Sequence, residues 1–141
     1  MPGLQAPTMA ELLSNPVVQR ALEEAWLDSQ ADDSARRHEE GGWIYLELVS
    51  GAFVVRRAPR GRRSSIDLNQ PPLLAGAVVV GKFHTHPNPT AEGWLPGASE
   101  ADRRNAARHG VPSLIRADDG VYTTGPDRRR GGLSGDPGYP A

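Results

Sequence analysis

The 141-residue chain has no cysteine, which excludes disulfide frameworks, thiolate zinc sites and cysteine nucleophiles. It also lacks long apolar runs, and its first residues lack the basic end and apolar stretch of a secretory signal. Nor is there an excess of charge of one sign, since 16 basic and 17 acidic residues give a formal net charge of -1. Neither a nucleic-acid nor a membrane partner is indicated. We expect a cytoplasmic protein in which imidazole and carboxylate groups would hold any metal.

The length fits one domain with a single core. We predict a flexible N-terminus over 1–8, a single domain over 9–126 and a disordered tail over 127–141. The tail sequence at 128–132 resembles the Arg-rich Gly-Gly end of ubiquitin-like modifiers, which would make the tail a mimic of substrate, but we interpret it as the biased composition of a disordered tail.

Helical patterns come first in the chain. Apolar residues at helical spacing predict an amphipathic helix from 9 to about 29, which restarts at Asn15-Pro16 because proline suits the first position of a helix. A second short helix is expected within 30–40, ending at Gly41-Gly42.

Strand patterns follow. The β-rich runs 43–49 and 52–55 flank Ser50-Gly51 and predict a hairpin. The basic run 56–63 is typical of a solvated loop, and 65–68 could add a short strand. The run 73–83 is apolar on both faces and predicts a central strand.

The last patterns predict a helix over 98–109 and two strands, 112–115 and 121–124, around an Asp119-Gly120 turn. The whole pattern predicts an α+β fold of the three-layer α/β type, with a mixed, mostly antiparallel sheet flanked by helices.

Two of the four histidines belong to a His-Thr-His-Pro motif that begins at His84, at the end of the central apolar run. Residues two apart on a strand project from one face, so His84 and His86 can both reach one ion at roughly 2.0 to 2.1 Å. Ser99 and Asp102 are three apart and share one face of the predicted helix. Two imidazoles and one carboxylate leave a fourth position for water, as in catalytic Zn2+ sites. The sequence therefore predicts such a site.

Amide hydrolysis also needs a carboxylate that takes a proton from water and returns it to the leaving amine. Glu39 is our candidate, while the adjacent Glu40 and the more distant Glu47 stay open as alternatives. The three-residue step from Glu39 to Gly42 favours Glu39, because only one of two neighbouring residues can face the metal.

These motifs, in this order, resemble those of the JAMM (MPN-plus) zinc metalloproteases, in particular the prokaryotic-type JAB domain. The family pattern is a glutamate before a glycine and an apolar strand, then His-x-His-Pro, then Ser-x-x-Asp. The likeness covers about the central two thirds of the chain. It implies a JAMM/cytidine-deaminase-like fold in which His84, His86 and Asp102 bind zinc, Glu39 is the catalytic base and Ser99 donates a hydrogen bond to the oxyanion.

The resemblance implies a metallo-isopeptidase or peptidase with a protein or peptide substrate. In relatives the bond is often the one after the Gly-Gly terminus of ubiquitin or a ubiquitin-like protein. Here the segment 88–98 looks longer than in many relatives and contains Trp94, which we expect to contact substrate. No large insertion that would grip a distal ubiquitin is visible, so a smaller peptide or a small-molecule amide stays open.

Simpler interpretations exist for each part. The segment from Ser99 to Asp102 also fits a helix capping box, and His84 and His86 could end a strand without binding metal. His38 and His109 lack ligand spacing and are expected at the surface. A different class of function is a catalytically silent scaffold of MPN type that binds a partner protein, although such relatives usually lack at least one ligand.

Overall fold

The computed structural model describes residues 6–89, 110–127 and 132–133. The elements in these ranges are α1 (Met9–Ser14), α2 (Pro16–Asp28), β1 (Gly41–Glu47), β2 (Phe53–Arg57), β3 (Ala77–His86), β4 (Ser113–Ala117), β5 (Gly120–Thr124), β6 (Pro126–Asp127) and β7 (Gly132–Leu133). The first five strands form one sheet in the order β2-β1-β3-β4-β5. Its β3-β4 pairing is parallel and the other pairings are antiparallel, so the predicted mixed sheet of an α+β fold is confirmed.

The boundary between the two helices is fixed by local capping. Thr8 and Glu11 form a capping box at the start of α1. The Asn15 side chain accepts the backbone N–H of Val17 at 2.9 Å, and Pro16 takes the first position of α2, where a missing N–H costs nothing. The predicted restart at Asn15-Pro16 is confirmed.

The helix predicted within 30–40 is wrong, because that segment is a series of turns. Gln30 has a left-handed φ of 53°, which ends the helical path of α2. The Asp33 side chain then accepts two backbone N–H groups at 2.9 and 3.2 Å, an alternative to helical hydrogen bonding. Gly41 and Gly42 therefore begin β1 instead of ending a helix.

Both predicted hairpins are confirmed. β1 and β2 pair in register with Ile44 opposite Val55. β4 and β5 pair across a two-residue turn, after which β5 begins at Gly120 with a φ of 141°. The predicted central strand is also confirmed, since β3 lies between β1 and β4. No strand forms over 65–68, where Leu68 packs instead under the sheet.

Alternate residues of β1 face opposite sides of the sheet. Ile44 and Leu46 pack with α1 and α2 in one buried cluster. Trp43 and Tyr45 face the other side, where a loop that includes Leu68 covers them. In the described ranges the two helices therefore cover one face of the sheet and an irregular loop covers part of the other.

Several predictions fall partly or wholly on other residues. The predicted helix 98–109 lies outside the described residues. The predicted tail begins at the second residue of β6 and includes β7, which pairs with β6, and its remaining residues lie outside the described ranges. Within those ranges, no helix combines the length and the apolar character needed to cross a bilayer.

Tyr45 offers a test of how the loop is held on the sheet. Its hydroxyl donates to the Pro72 carbonyl at 2.6 Å, and its burial raises its pKa above the usual 10.0 despite the opposing Arg56 guanidinium. We expect Tyr45→Phe to lower the free energy of unfolding at neutral pH by about 1 kcal/mol, the usual net contribution of one hydrogen bond, because the bond between the loop and the sheet is lost.

The pH dependence of Tyr45 has a defined sign. Because the folded-state pKa is raised, the unfolded chain releases the phenol proton first, and the stabilisation present below pH 10 is lost as pH rises through the folded pKa. Urea unfolding at neutral and alkaline pH should show a steeper alkaline loss in wild type than in Tyr45→Phe. Equal stability of the two proteins at neutral pH would contradict the role of this hydrogen bond.

Candidate metal centre

The two motif histidines project from the end of β3 on the side away from the helices. Thr85 lies between them and points the other way, with its hydroxyl 2.5 Å from that of Ser29 at the end of α2. The Nε2 atoms of His84 and His86 are 3.2 Å apart, and their ring centroids are 5.0 Å apart. His84 is buried and His86 is partly exposed. The two rings therefore differ in exposure although they share one face of the strand.

A glycine on the neighbouring strand leaves room for the His84 side chain. Gly41 of β1 lies opposite His84 of β3. A Cβ added at Gly41 would overlap the Phe83 carbonyl oxygen and press on the His84 side chain. Glycine at this position therefore allows the start of β1, and the glutamates before it, to approach the histidines closely.

Glu39 is the carboxylate that reaches the histidines. The Glu39 residue is 5% exposed, and a carboxylate oxygen and one nitrogen of each imidazole all lie within 4.8 Å of one another. Its backbone is fixed on both sides by the loop after β2. The Glu39 N–H donates to the Arg62 carbonyl at 2.7 Å, and the Gly61 N–H donates to the Glu39 carbonyl at 2.8 Å.

Glu40 makes a separate network. Its Oε1 accepts from Arg57 at 2.7 Å, and its Oε2 lies 2.5 Å from Nε2 of His38. Its backbone N–H donates to the Thr85 hydroxyl at 3.0 Å. Adjacent residues of an extended segment project to opposite sides, which separates Glu40 from the metal candidates and turns Glu39 towards them.

Glu47 is far from this end of the sheet. It is the last residue of β1 and pairs with Ala77, the first residue of β3, whereas the histidines end that strand. The Glu47 carboxylate accepts from Ser50 at 2.7 Å. Of the three glutamates considered from the sequence, Glu39 is the one beside the imidazoles.

The surface position expected for His38 is wrong. His38 is 4% exposed, with Nδ1 2.9 Å from the Arg36 carbonyl oxygen and Nε2 at the Glu40 carboxylate. The cause is the extended backbone of 38–40, which puts His38 and Glu40 on one side of the chain. That alternation was the available sequence signal for the pair, and ligand spacing alone missed it. His109 lies outside the described residues.

Three other predicted site residues lie outside the described residues: Asp102, Ser99 and Trp94. The structure therefore brings together Glu39, His84 and His86 and gives no position for the predicted third ligand, the oxyanion donor or the substrate contact.

The two imidazoles fit a zinc ion. Nitrogen ligands at 2.0 to 2.1 Å from a tetrahedral ion lie roughly 3.3 Å apart, and the Nε2 atoms of His84 and His86 are 3.2 Å apart. An imidazole-imidazole hydrogen bond would give a similar spacing. The nearby carboxylate is what favours a cation, because nitrogen and oxygen donors together form the usual zinc set in a chain without cysteine.

No family model, curated protein or solved structure matches the chain. A functional assignment therefore depends on the chemistry of these residues and on their order in the sequence.

Proposed function

We propose that the protein is a zinc-dependent metallopeptidase of JAMM type that hydrolyses an amide bond. The supporting observation is the cluster of Glu39, His84 and His86, in which two imidazole nitrogens stand 3.2 Å apart beside a buried carboxylate. His84, His86 and Asp102 would hold the ion. Ser-x-x-Asp downstream of His-x-His-Pro supports Asp102 as the third ligand.

When bound, zinc supplies a Lewis acid that polarises the amide carbonyl and lowers the pKa of water. Glu39 takes a proton from the attacking water on a carboxylate oxygen and delivers it to the leaving amine. Its burial keeps bulk water away from that proton, and its two backbone hydrogen bonds to the loop fix its position. Ser99 donates to the oxyanion that develops on the carbonyl oxygen.

The substrate we propose is a protein or peptide, and one candidate bond is the isopeptide bond after the Gly-Gly terminus of a ubiquitin-like protein. Trp94 would contact it as an apolar anchor. The proposal includes a JAMM/cytidine-deaminase-like architecture, with which a mixed sheet carrying its histidines at a strand end is compatible. It also includes a cytoplasmic location, which suits a chain without cysteine.

Metal analysis tests this proposal. Protein purified in the presence of zinc should contain about one ion per chain, as expected for a single three-ligand site, and His84→Ala should contain almost none. Chelation should abolish cleavage of a Gly-Gly-linked fusion, and added zinc should restore it. Wild-type protein that stays metal-free under these conditions contradicts the proposal.

A substrate panel separates this function from its rivals. Cleavage of Gly-Gly-linked fusions but not of small amides supports an isopeptidase, and the reverse pattern indicates a small-molecule amidase. Bound zinc without hydrolysis anywhere in the panel favours a catalytically silent scaffold that binds a partner protein.

A further inference from the structure

A cationic cavity lies next to Glu39. Its volume is about 520 Å³, and the turn after α2 and the loop after β2 form its walls. We call it the arginine cleft, because its walls include Arg36, Arg37, His38, Arg60, Arg62 and Arg63. None of the described residues that line it is acidic.

The arginine cleft is built by tertiary contacts and not by one basic run. Arg36 and Arg37 come from the turn, and the other three arginines come from the loop. Arg63 ties the two walls together by donating to the Ser34 carbonyl at 2.8 Å. Folding therefore brings arginines of two segments into one cavity, where their positive charges lie closer together than they would on a solvated loop.

The exposed guanidinium groups of the arginine cleft are weakly neutralised by the described residues. Arg36 has an exposed carboxylate, that of Asp33, at 3.9 Å, a distance at which an exposed ion pair is weak. The nearby carboxylate of Glu40 binds Arg57 and His38 instead. Among the described residues, Arg36, Arg60, Arg62 and Arg63 therefore present positive charge to a ligand.

The arginine cleft and the candidate metal centre share the loop after β2. Gly61 and Arg62, which line it, hold the backbone of Glu39 through two hydrogen bonds. Asn88, two residues after His86, donates from its side-chain amide to the Arg63 carbonyl at 2.9 Å. The loop that forms one wall of the arginine cleft therefore also holds the backbone of Glu39, whose carboxylate faces the histidines on the side of the chain opposite His38.

We propose that the arginine cleft binds the carboxylates of an acidic peptide segment and so makes acidic polypeptides the preferred substrates. Guanidinium groups present paired donors that match carboxylate geometry, and Arg36, Arg60, Arg62 and Arg63 are exposed enough to be reached by a chain. A peptide is favoured over a small free anion because four exposed guanidinium groups from two segments can bind several carboxylates of one chain. The substrate preference rests on the proposed function, which assigns amide hydrolysis to Glu39. The volume lies in the range of ligand sites.

Peptide binding tests this proposal without any need for turnover. Fluorescence anisotropy with labelled tetraglutamate and tetraglutamine peptides should show at least about tenfold tighter binding of tetraglutamate, because charge-assisted hydrogen bonds are the stronger ones. The double variant Arg60→Gln/Arg62→Gln should lose most of that difference. Raised salt should weaken tetraglutamate binding and leave tetraglutamine unchanged.

A matched control removes the same charge elsewhere. Arg20 on α2 and Arg56 on β2 are exposed and do not line the arginine cleft. The double variant Arg20→Gln/Arg56→Gln should bind tetraglutamate like wild type, and urea unfolding should show both double variants folded. If a cleft variant fails to fold, Arg62→Gln alone with Arg56→Gln as its control provides the same comparison.

Three results would overturn the proposal. They are equal affinity for the two peptides, equal loss of affinity in the cleft and control variants, and tighter binding of inorganic pyrophosphate than of tetraglutamate with full displacement of the peptide. The last result would assign the cavity to phosphates. Peptide binding is measured both with and without zinc. If the protein fails the zinc and cleavage tests but still prefers tetraglutamate, the proposed function is wrong and the proposed binding site stands.

Discussion

Glu39→Gln is expected to lower the rate of amide hydrolysis by roughly 100- to 10,000-fold, the contribution typical of a general acid-base group. Glutamine has nearly the shape of glutamate but cannot accept and return a proton. Since the backbone of Glu39 is bonded to Arg62 and Gly61 through main-chain atoms, the substitution should leave the backbone of residue 39 in place. The measurement is the rate of cleavage of a Gly-Gly-linked fusion with zinc saturating.

Zinc content decides which role Glu39 has. Its carboxylate lies within 4.8 Å of both imidazole nitrogens, which is close enough for a base or for a ligand. If Asp102 is the third ligand, Glu39→Gln should keep about one zinc per chain, as the three remaining ligands predict. Loss of zinc together with activity would instead make Glu39 a ligand and would contradict its assignment as the base.

Glu47→Gln is the matched control. It removes one carboxylate from the other end of β1. Because that side chain bonds to Ser50 and is remote from the histidines, the variant should cleave at the wild-type rate. A loss comparable to that of Glu39→Gln would show that the rate responds to general charge and not to a proton acceptor at the histidines.

The strands could be predicted because their signals are local. Ser50-Gly51 and Asp119-Gly120 lie between short β-rich runs, and such turns fix the pairing of the strands they join. The segment 30–40 could not, because its outcome depends on competition between helix and turn. There the Asp33 side chain bonds to the following backbone and favours the turn.

The site shows the same division. A two-residue spacing on a strand was sufficient to predict that His84 and His86 share a face, and their nitrogens are 3.2 Å apart. Sequence favoured Glu39 over Glu40 but left both open, because the distinction depends on where Arg57 and the loop after β2 come to lie. The assignments of Asp102, Ser99 and Trp94 stay predictions.

Tertiary contacts account for what the sequence pattern missed. His38 is buried, and its two ring nitrogens lie 2.5 Å from the Glu40 carboxylate and 2.9 Å from the Arg36 carbonyl oxygen. The arginine cleft likewise depends on the turn and the loop meeting, which no local pattern in the basic run reveals. In both cases the sequence shows the groups, and long-range folding gives them their partners.

Glu40→Ala is expected to lower the free energy of unfolding by about 3 kcal/mol, the lower end of the range for breaking a buried ion pair. The Glu40 residue is 8% exposed. Its Oε1 lies 2.7 Å from the Arg57 guanidinium, and its Oε2 lies 2.5 Å from Nε2 of His38. Truncation leaves the His38 ring buried without its carboxylate. The effect is at the lower end because Arg57 is 30% exposed and keeps Asp28 at 3.1 Å.

Asp28→Asn is the control for Glu40→Ala, since both carboxylates pair with the same guanidinium. The Asp28 side chain is 59% exposed, so its loss should cost between about 0 and 1 kcal/mol. Urea unfolding of both variants and wild type gives the comparison. Glu39→Gln and Glu40→Ala should then differ in kind, because the first removes catalysis from a stable fold and the second destabilises the fold. If Glu40→Ala unfolds no more easily than Asp28→Asn, burial does not strengthen this network, and the separation of the two adjacent glutamates into a catalytic and a structural carboxylate is wrong.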